Sequence, residues 1–212
     1  YRAPQPVMDE VRAVASEIDA LGDIAHRRAD VALVLDYPSL WHHEIQPQGR
    51  RGAAIDLCRM LYTGLRKLGL DVDIVPATAE FAGYRLVVLP SPSILPAGID
   101  KRLKASGAVV LATALTGCRT QEGHLPPRPD LGPLPELLPM RMIRFESLAP
   151  QITLEVRTDG LMYTAGRWLE TLETDAAVCA SFDAGAPAWI SSGRAHYLAT
   201  WPDDKLLNDI LE

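Results

Sequence analysis

Val31-Ala32-Leu33-Val34-Leu35 is an unbroken apolar run that stops at Asp36. Five apolar residues in a row leave no polar face, which is the pattern of a strand buried on both sides of a parallel sheet. Leu86-Val87-Val88-Leu89, stopped by Pro90, repeats the pattern, and so does Ala108 to Ala112. Val72 to Val75 is a further short strand, stopped by Pro76. Between these runs the apolar spacing changes to three and four. Leu57, Cys58, Leu61, Leu65 and Leu68 mark a helix over Gly52 to Leu68, closed by Gly69, and Ile99 to Lys104 marks a shorter one. The order strand, helix, strand, strand, helix, strand predicts an α/β layered domain.

Upstream, Val7, Met8, Val11, Val14, Ala15, Ile18 and Leu21 predict an amphipathic helix over Pro6 to Leu21, stopped by Gly22. A polar, basic link from His26 to Asp30 joins it to the first strand. Downstream of Thr113 the chain changes character. Gly123 to Pro139 holds six prolines and little periodicity, with one helical turn expected at Leu134 to Leu138. Strands are expected at Met140 to Phe145, Ile152 to Val156, Ala177 to Phe182, Ala188 to Ile190 and His196 to Thr200. Trp168 to Leu172 lies between them. Asp203 to Glu212 reads as a final helix through Leu206, Leu207, Ile210 and Leu211. The start at Tyr1 and the stop just after this apolar face are read as those of a piece of a longer polypeptide.

The 212 residues are enough for one domain with its own core. Hydrophobic residues are 48% and charged residues 23%, the balance of an ordinary globular protein. The formal charge of −6 lacks the basic footprint that nucleic-acid binding needs. Gly107 to Gly117, the longest weakly polar run, falls well short of the roughly 20 residues of a membrane helix. Three widely spaced cysteines, Cys58, Cys118 and Cys179, form no disulfide framework, so a reducing, cytoplasmic compartment is expected.

Few residues ask for chemistry. Glycoside hydrolysis needs two carboxylates aimed into one cleft. Glu44, Glu80, Glu136, Glu146, Glu155, Glu170 and Glu173 are scattered, and Glu170 with Glu173 reads as the solvated face of a helix. No catalytic residue is expected. His42-His43-Glu44 lacks the spacing of a zinc helix, and Cys58 sits on an apolar stripe, so no metal site is expected. No glycine-rich phosphate loop is present, and no cofactor is expected. The loop from Asp36 to Arg51 follows the C-terminal end of the first strand, where open α/β sheets usually bind ligands. Its Tyr37, Trp41, His42 and His43 are side chains suited to an interface, and they are the candidate contact residues.

Several segments together resemble the middle, trimerisation domain of family 42 β-galactosidases. They are Val31 to Tyr37 with Trp41, Leu68 to Val75, Gly83 to Ser91, Gly132 to Leu138, and Tyr197 to Thr200 with Pro202-Asp203. The opening helix resembles the last helix of the catalytic barrel that precedes this domain in the family. The resemblance implies a linker helix over residues 1–27 and a trimerisation-type α/β domain over 28–212. It implies a flavodoxin-like layered sheet with helices on both faces, related to class I glutamine amidotransferases. It also implies that the retaining hydrolysis of terminal β-galactosides occurs elsewhere, on barrel glutamates outside this chain. The implied partners are the protein's own catalytic barrel and like subunits in a homotrimer, with no nucleic acid and no membrane. The family's pattern departs here around Gly123 to Pro129.

Two other readings are weighed. An amidotransferase-like enzyme needs a Cys on a sharp strand-to-helix turn with a His as base. Thr113-Ala114-Leu115 supplies no thiol, Cys118 comes several residues late, and His196 stands at the start of the late strand. A small-molecule binding module is the third reading.

Overall fold

The computed structural model describes residues 5–22, 27–49, 51–126 and 133–211. The start of the polar link at His26, the middle of the proline-rich excursion including Gly132, and Glu212 lie outside the described residues.

Among the described residues the helices are α1 (Gln5–Leu21), α2 (Tyr37–Ile45), α3 (Ala53–Lys67), α4 (Ile99–Ser106) and α5 (Asp204–Leu211). The strands are β1 (Val31–Val34), β2 (Val72–Val75), β3 (Leu86–Leu89), β4 (Val109–Thr113), β5 (Met140–Ser147), β6 (Thr153–Thr158), β7 (Leu161–Thr174), β8 (Ala177–Phe182), β9 (Pro187–Ser192), β10 (Ala195–Leu198) and β11 (Thr200–Pro202). They form one 11-stranded sheet in the order β11-β7-β6-β8-β9-β10-β4-β3-β1-β2, with β5 paired to β7.

The expected flavodoxin-like layered sheet is not what the chain builds: the sheet is mixed and mostly strand, and α3, α5 and α4 cover its two faces only at the parallel end. Only β2, β1, β3, β4 and β10 are joined by parallel ladders. Beyond β10 every ladder is antiparallel. The physical reason lies after Thr113. There the chain offers period-two segments and turns instead of the long helical crossovers that parallel pairing requires. Helices therefore serve the parallel end, and strands dominate the rest.

At the parallel end the apolar runs behave as their composition dictates. All four residues of β1 are buried. One face of the sheet carries α3 and α5. Leu57, Leu61 and Leu65 of α3 join Val31, Leu33, Val88 and Leu111 from the strands and Leu207 from α5. Gly64 lets α5 approach α3, since a Cβ there would stand 3.0 Å from Leu211 Cδ1. On the other face, Ile99 and Leu103 of α4 pack with Ala32, Val34, Val87, Leu89 and Val110.

Two elements depart from the sequence reading. The stretch read as a loop from Asp36 holds α2, because Asp36 caps it and Pro38 fits its first turn. Trp168 to Leu172 is part of the 14-residue strand β7, which β5, β6 and β11 all pair with. α1 forms where its spacing predicts, and its Val7, Met8, Val11, Val14, Ile18 and Leu21 are all exposed.

Candidate interface site

β1 ends under α2. The Asp36 carboxylate accepts the Ser39 N–H at 3.1 Å and lies 2.8 Å from Ser39 Oγ. Ser39 Oγ in turn accepts the Ile94 N–H at 3.1 Å. One turn later the His43 Nε2–H donates to the Ser91 carbonyl at 3.0 Å. The His43 ring stacks on Trp168 of β7, with centroids 6.1 Å apart and an interplanar angle of 15°. His42 Nδ1 lies 3.1 Å from Ser93 Oγ. The Glu44 carboxylate accepts the Gly52 N–H at 3.0 Å and closes the segment onto the start of α3.

These hooks give α2 the reverse of the usual surface-helix polarity. Its buried residues are polar: Ser39 is 3% exposed and His43 6%. Its outer face is apolar: Tyr37 and Trp41 are each 63% exposed and Ile45 79%. Positions 37, 41 and 45 recur at four-residue steps, so they share one stripe. The Tyr37 and Trp41 rings lie 6.2 Å apart.

The four candidate residues thus divide. Tyr37 and Trp41 face outward. His42 and His43 face the protein's own strand ends. Burial, the larger cause, lowers the His43 pKa, against the hydrogen bond to Ser91 that raises it. Burial first and the Arg119 charge second lower that of His42. Both rings are therefore held toward the neutral form. Among the described residues no cluster of three or more His, Cys, Asp or Glu could hold a metal ion. No helix among them is long and apolar enough to cross a membrane.

Trp168 ties this site to the antiparallel end. Its Nε1–H donates to the Gln48 carbonyl at 2.8 Å, and its ring meets Trp201 edge-on at 5.1 Å. The Arg167 guanidinium covers the Trp201 ring at 4.5 Å. Residues of left-handed backbone, uncommon outside glycine, gather here: Ser91 (φ 53), Leu115 (φ 70) and Arg167 (φ 57).

Leu115 occupies the turn where an amidotransferase-like thiol would be needed. Cys118 is buried, and burial pushes its thiol up to about 12, far from a reactive thiolate. His196 pairs with Leu111 inside the β4 ladder and packs against Trp189, with ring centroids 6.0 Å apart. Among the described residues Cys118 and His196 are thus not placed as the nucleophile and base of that rival enzyme.

Glu170 is the residue the sequence reading misplaced. It does not share a solvated helix face with Glu173; both lie on β7, where Glu173 is exposed and pairs with Arg141. Glu170 is fully buried. The alternation Trp168, Glu170, Leu172 was the available signal, because in a strand it puts the carboxyl on the side of two large apolar neighbours.

Comparison with known proteins follows this architecture closely. Residues 29–212 match the family described as the beta-galactosidase trimerisation domain. The chain belongs to that family. It is 38% identical to the beta-galactosidase BgaA of a Thermus species over 211 residues, which is 99% of this chain and 32% of that protein. It is 30% identical to the beta-galactosidase Bga of Halorubrum lacusprofundi, over 93% of this chain and 32% of that one. The crystal structure of a beta-galactosidase from the psychrophilic Marinomonas ef1 superposes with a TM-score of 0.83 at 32% identity. It covers 97% of this chain and 32% of that one. The chain thus spans about a third of the length of the relatives it matches. The resemblance to the trimerisation domain of β-galactosidases holds over residues 29–212.

Proposed function

We propose that the chain serves as the self-association domain of a larger hydrolase that cleaves terminal β-galactosides with retention on glutamates of a preceding barrel. In this reading residues 1–27 are the linker helix from that barrel, and residues 28–212 contribute to a homotrimer. The exposed stripe of α1 is then the surface that meets the barrel. Tyr37 and Trp41 are the contact residues toward a like subunit, and His42 and His43 set the helix that carries them. The protein works in the cytoplasm, in keeping with Cys58, Cys118 and Cys179 as free thiols.

The observation that carries the contact assignment is the inverted polarity of α2. Polar side chains are spent on anchoring it inward, while Tyr37, Trp41 and Ile45 stay in water. A large aromatic held rigidly on an anchored helix has little ordering entropy left to lose on binding. Sedimentation of the full-length protein tests this. Trp41→Ala is expected to weaken each contact by about 2 kcal/mol or more and to shift the assembly toward monomer at low concentration. A variant that folds normally and keeps the assembly of the parent at every concentration overturns the assignment.

A further inference from the structure

Among the described residues a fully buried carboxyl lies where the parallel and antiparallel ends meet. Glu170 of β7 is 0% exposed. The Leu115 N–H, just past the end of β4, donates to Glu170 Oε1 at 2.8 Å. The Tyr197 O–H of β10 donates to Oε2 at 2.6 Å. One carboxyl therefore joins three separate stretches of chain, and one of its partners is the strained residue Leu115, with φ 70.

We propose that Glu170, Tyr197 and the Leu115 amide form a proton-linked buried clasp, which stabilises the fold most when the carboxyl is protonated and less once it ionises, because ionisation leaves a charge buried between strands. A buried carboxylate costs several kcal/mol unless a cation offsets it. Among the described residues its partners are two neutral donors. The titratable groups that face it are Tyr197 from β10 and Cys118 from the segment after β4. Burial and the nearby carboxyl hold the Tyr197 phenol well above its ordinary value. Burial pushes the Cys118 thiol up to about 12. Both keep their protons across the neutral range, so Glu170 is the member of the cluster that titrates there. Burial outweighs the two hydrogen bonds and raises its pKa from 4.5 to about 7.

The direction of the effect follows from linkage. Between the ordinary carboxyl value and about 7, the folded chain holds a proton that the unfolded chain has released. The contribution of this group is thus full on the acid side, falls as the pH climbs through that window, and is level above it. Lowered values at His42 and His43 act oppositely, since their contribution is lost as the pH falls below 6.5. The raw pH profile sums both, and a substitution separates them.

Denaturant unfolding of the chain from pH 4 to pH 8 compares the native protein with Glu170→Gln. Glutamine can still accept from Leu115 and can donate to Tyr197, but it does not titrate. Relative to the variant, the native folding equilibrium is expected to weaken on the order of 100-fold across that range. Infrared spectroscopy of the native chain supplies a second reading: the band of a buried protonated carboxyl at pH 5, bleaching near neutrality. Tyr197→Phe removes a donor to the charged form, so it should move that bleaching to higher pH. Parallel pH profiles for the native protein and Glu170→Gln overturn the clasp. So does a native chain with no acid band at pH 5, and this reading stands even if the variant fails to fold.

Discussion

The parallel end of the sheet and its antiparallel end solve burial differently. In β1, β3 and β4 nearly every residue is covered, because α3 and α5 close one face and α4 packs on the other. In β7, β8 and β9 buried residues largely alternate with wetter ones, and β5 and β6 bury one residue each, Met140 and Val156; Ile143, Met162 and Val178 are 49%, 56% and 49% exposed. The first arrangement concentrates hydrophobic stabilisation inside the strands. The second leaves one side free, and it joins the rest through the β9-β10-β4 ladders and through large and polar side chains that bridge the two ends, Trp168, Trp201, Glu170, Tyr197 and His43 among them. A strand tucked under helices admits a polar side chain only with a partner, as the buried Thr113 of β4 has in Ser91, whereas a strand with one wet face can turn its polar residues to water.

The sharpest way to break this comparison is Trp168→Ala. The ring is 1% exposed and contacts His43, Trp201 and the Gln48 carbonyl. Its loss should cost about 4 kcal/mol in denaturant unfolding, and a cost under about 1 kcal/mol would mean that the Trp168 ring adds little to the joint between the two ends. Val87→Thr and Val178→Thr form a matched pair, equal in shape and differing in place. Val87 is 0% exposed on β3 and faces helix and strand, so an unpartnered hydroxyl there should cost about 2 kcal/mol. Asp36→Ala should come next, at about 1 kcal/mol, since it removes the cap that starts α2. Val178→Thr, half exposed on β8, should fall within about 0.5 kcal/mol. Equal costs at Val87 and Val178, measured by thermal or denaturant unfolding, would erase the distinction between the ends.

Much of the parallel end was legible in the residues. Val31 to Leu35, Leu86 to Leu89 and the spacing of Leu57, Leu61 and Leu65 each carry a local pattern with one physical reading. The flavodoxin-like fold that the family resemblance implies fails because it carries this α/β opening across the whole width of the sheet. The antiparallel end signals weakly. β7 is long and carries a left-handed residue at Arg167, so its alternation slips a step and only Trp168 to Leu172 stands out. α2 was hidden for another reason. Its buried residues are Ser39 and His43, and a helix anchored by hydrogen bonds shows no apolar stripe toward the core.

Local sequence determined that β1, β3 and β4 would be buried strands and that α1 and α3 would be amphipathic helices. Those outcomes depend on spacing and on the transfer of apolar side chains from water. Tertiary structure alone decided which way the residues of α2 face. Tyr37, Trp41, His42 and His43 are equally suited by type to a contact. The carbonyl of Ser91, the hydroxyl of Ser93 and the ring of Trp168, distant in sequence, claim the two histidines and leave the other two outside. It decided Glu170 as well. A glutamate two residues from a tryptophan takes a solvated or a buried place according to which strands meet over it, and here β10 and the end of β4 close on the carboxyl with a phenol and an amide. Hydrogen bonds between distant segments are set by the approach of whole strands, and no local pattern encodes that approach.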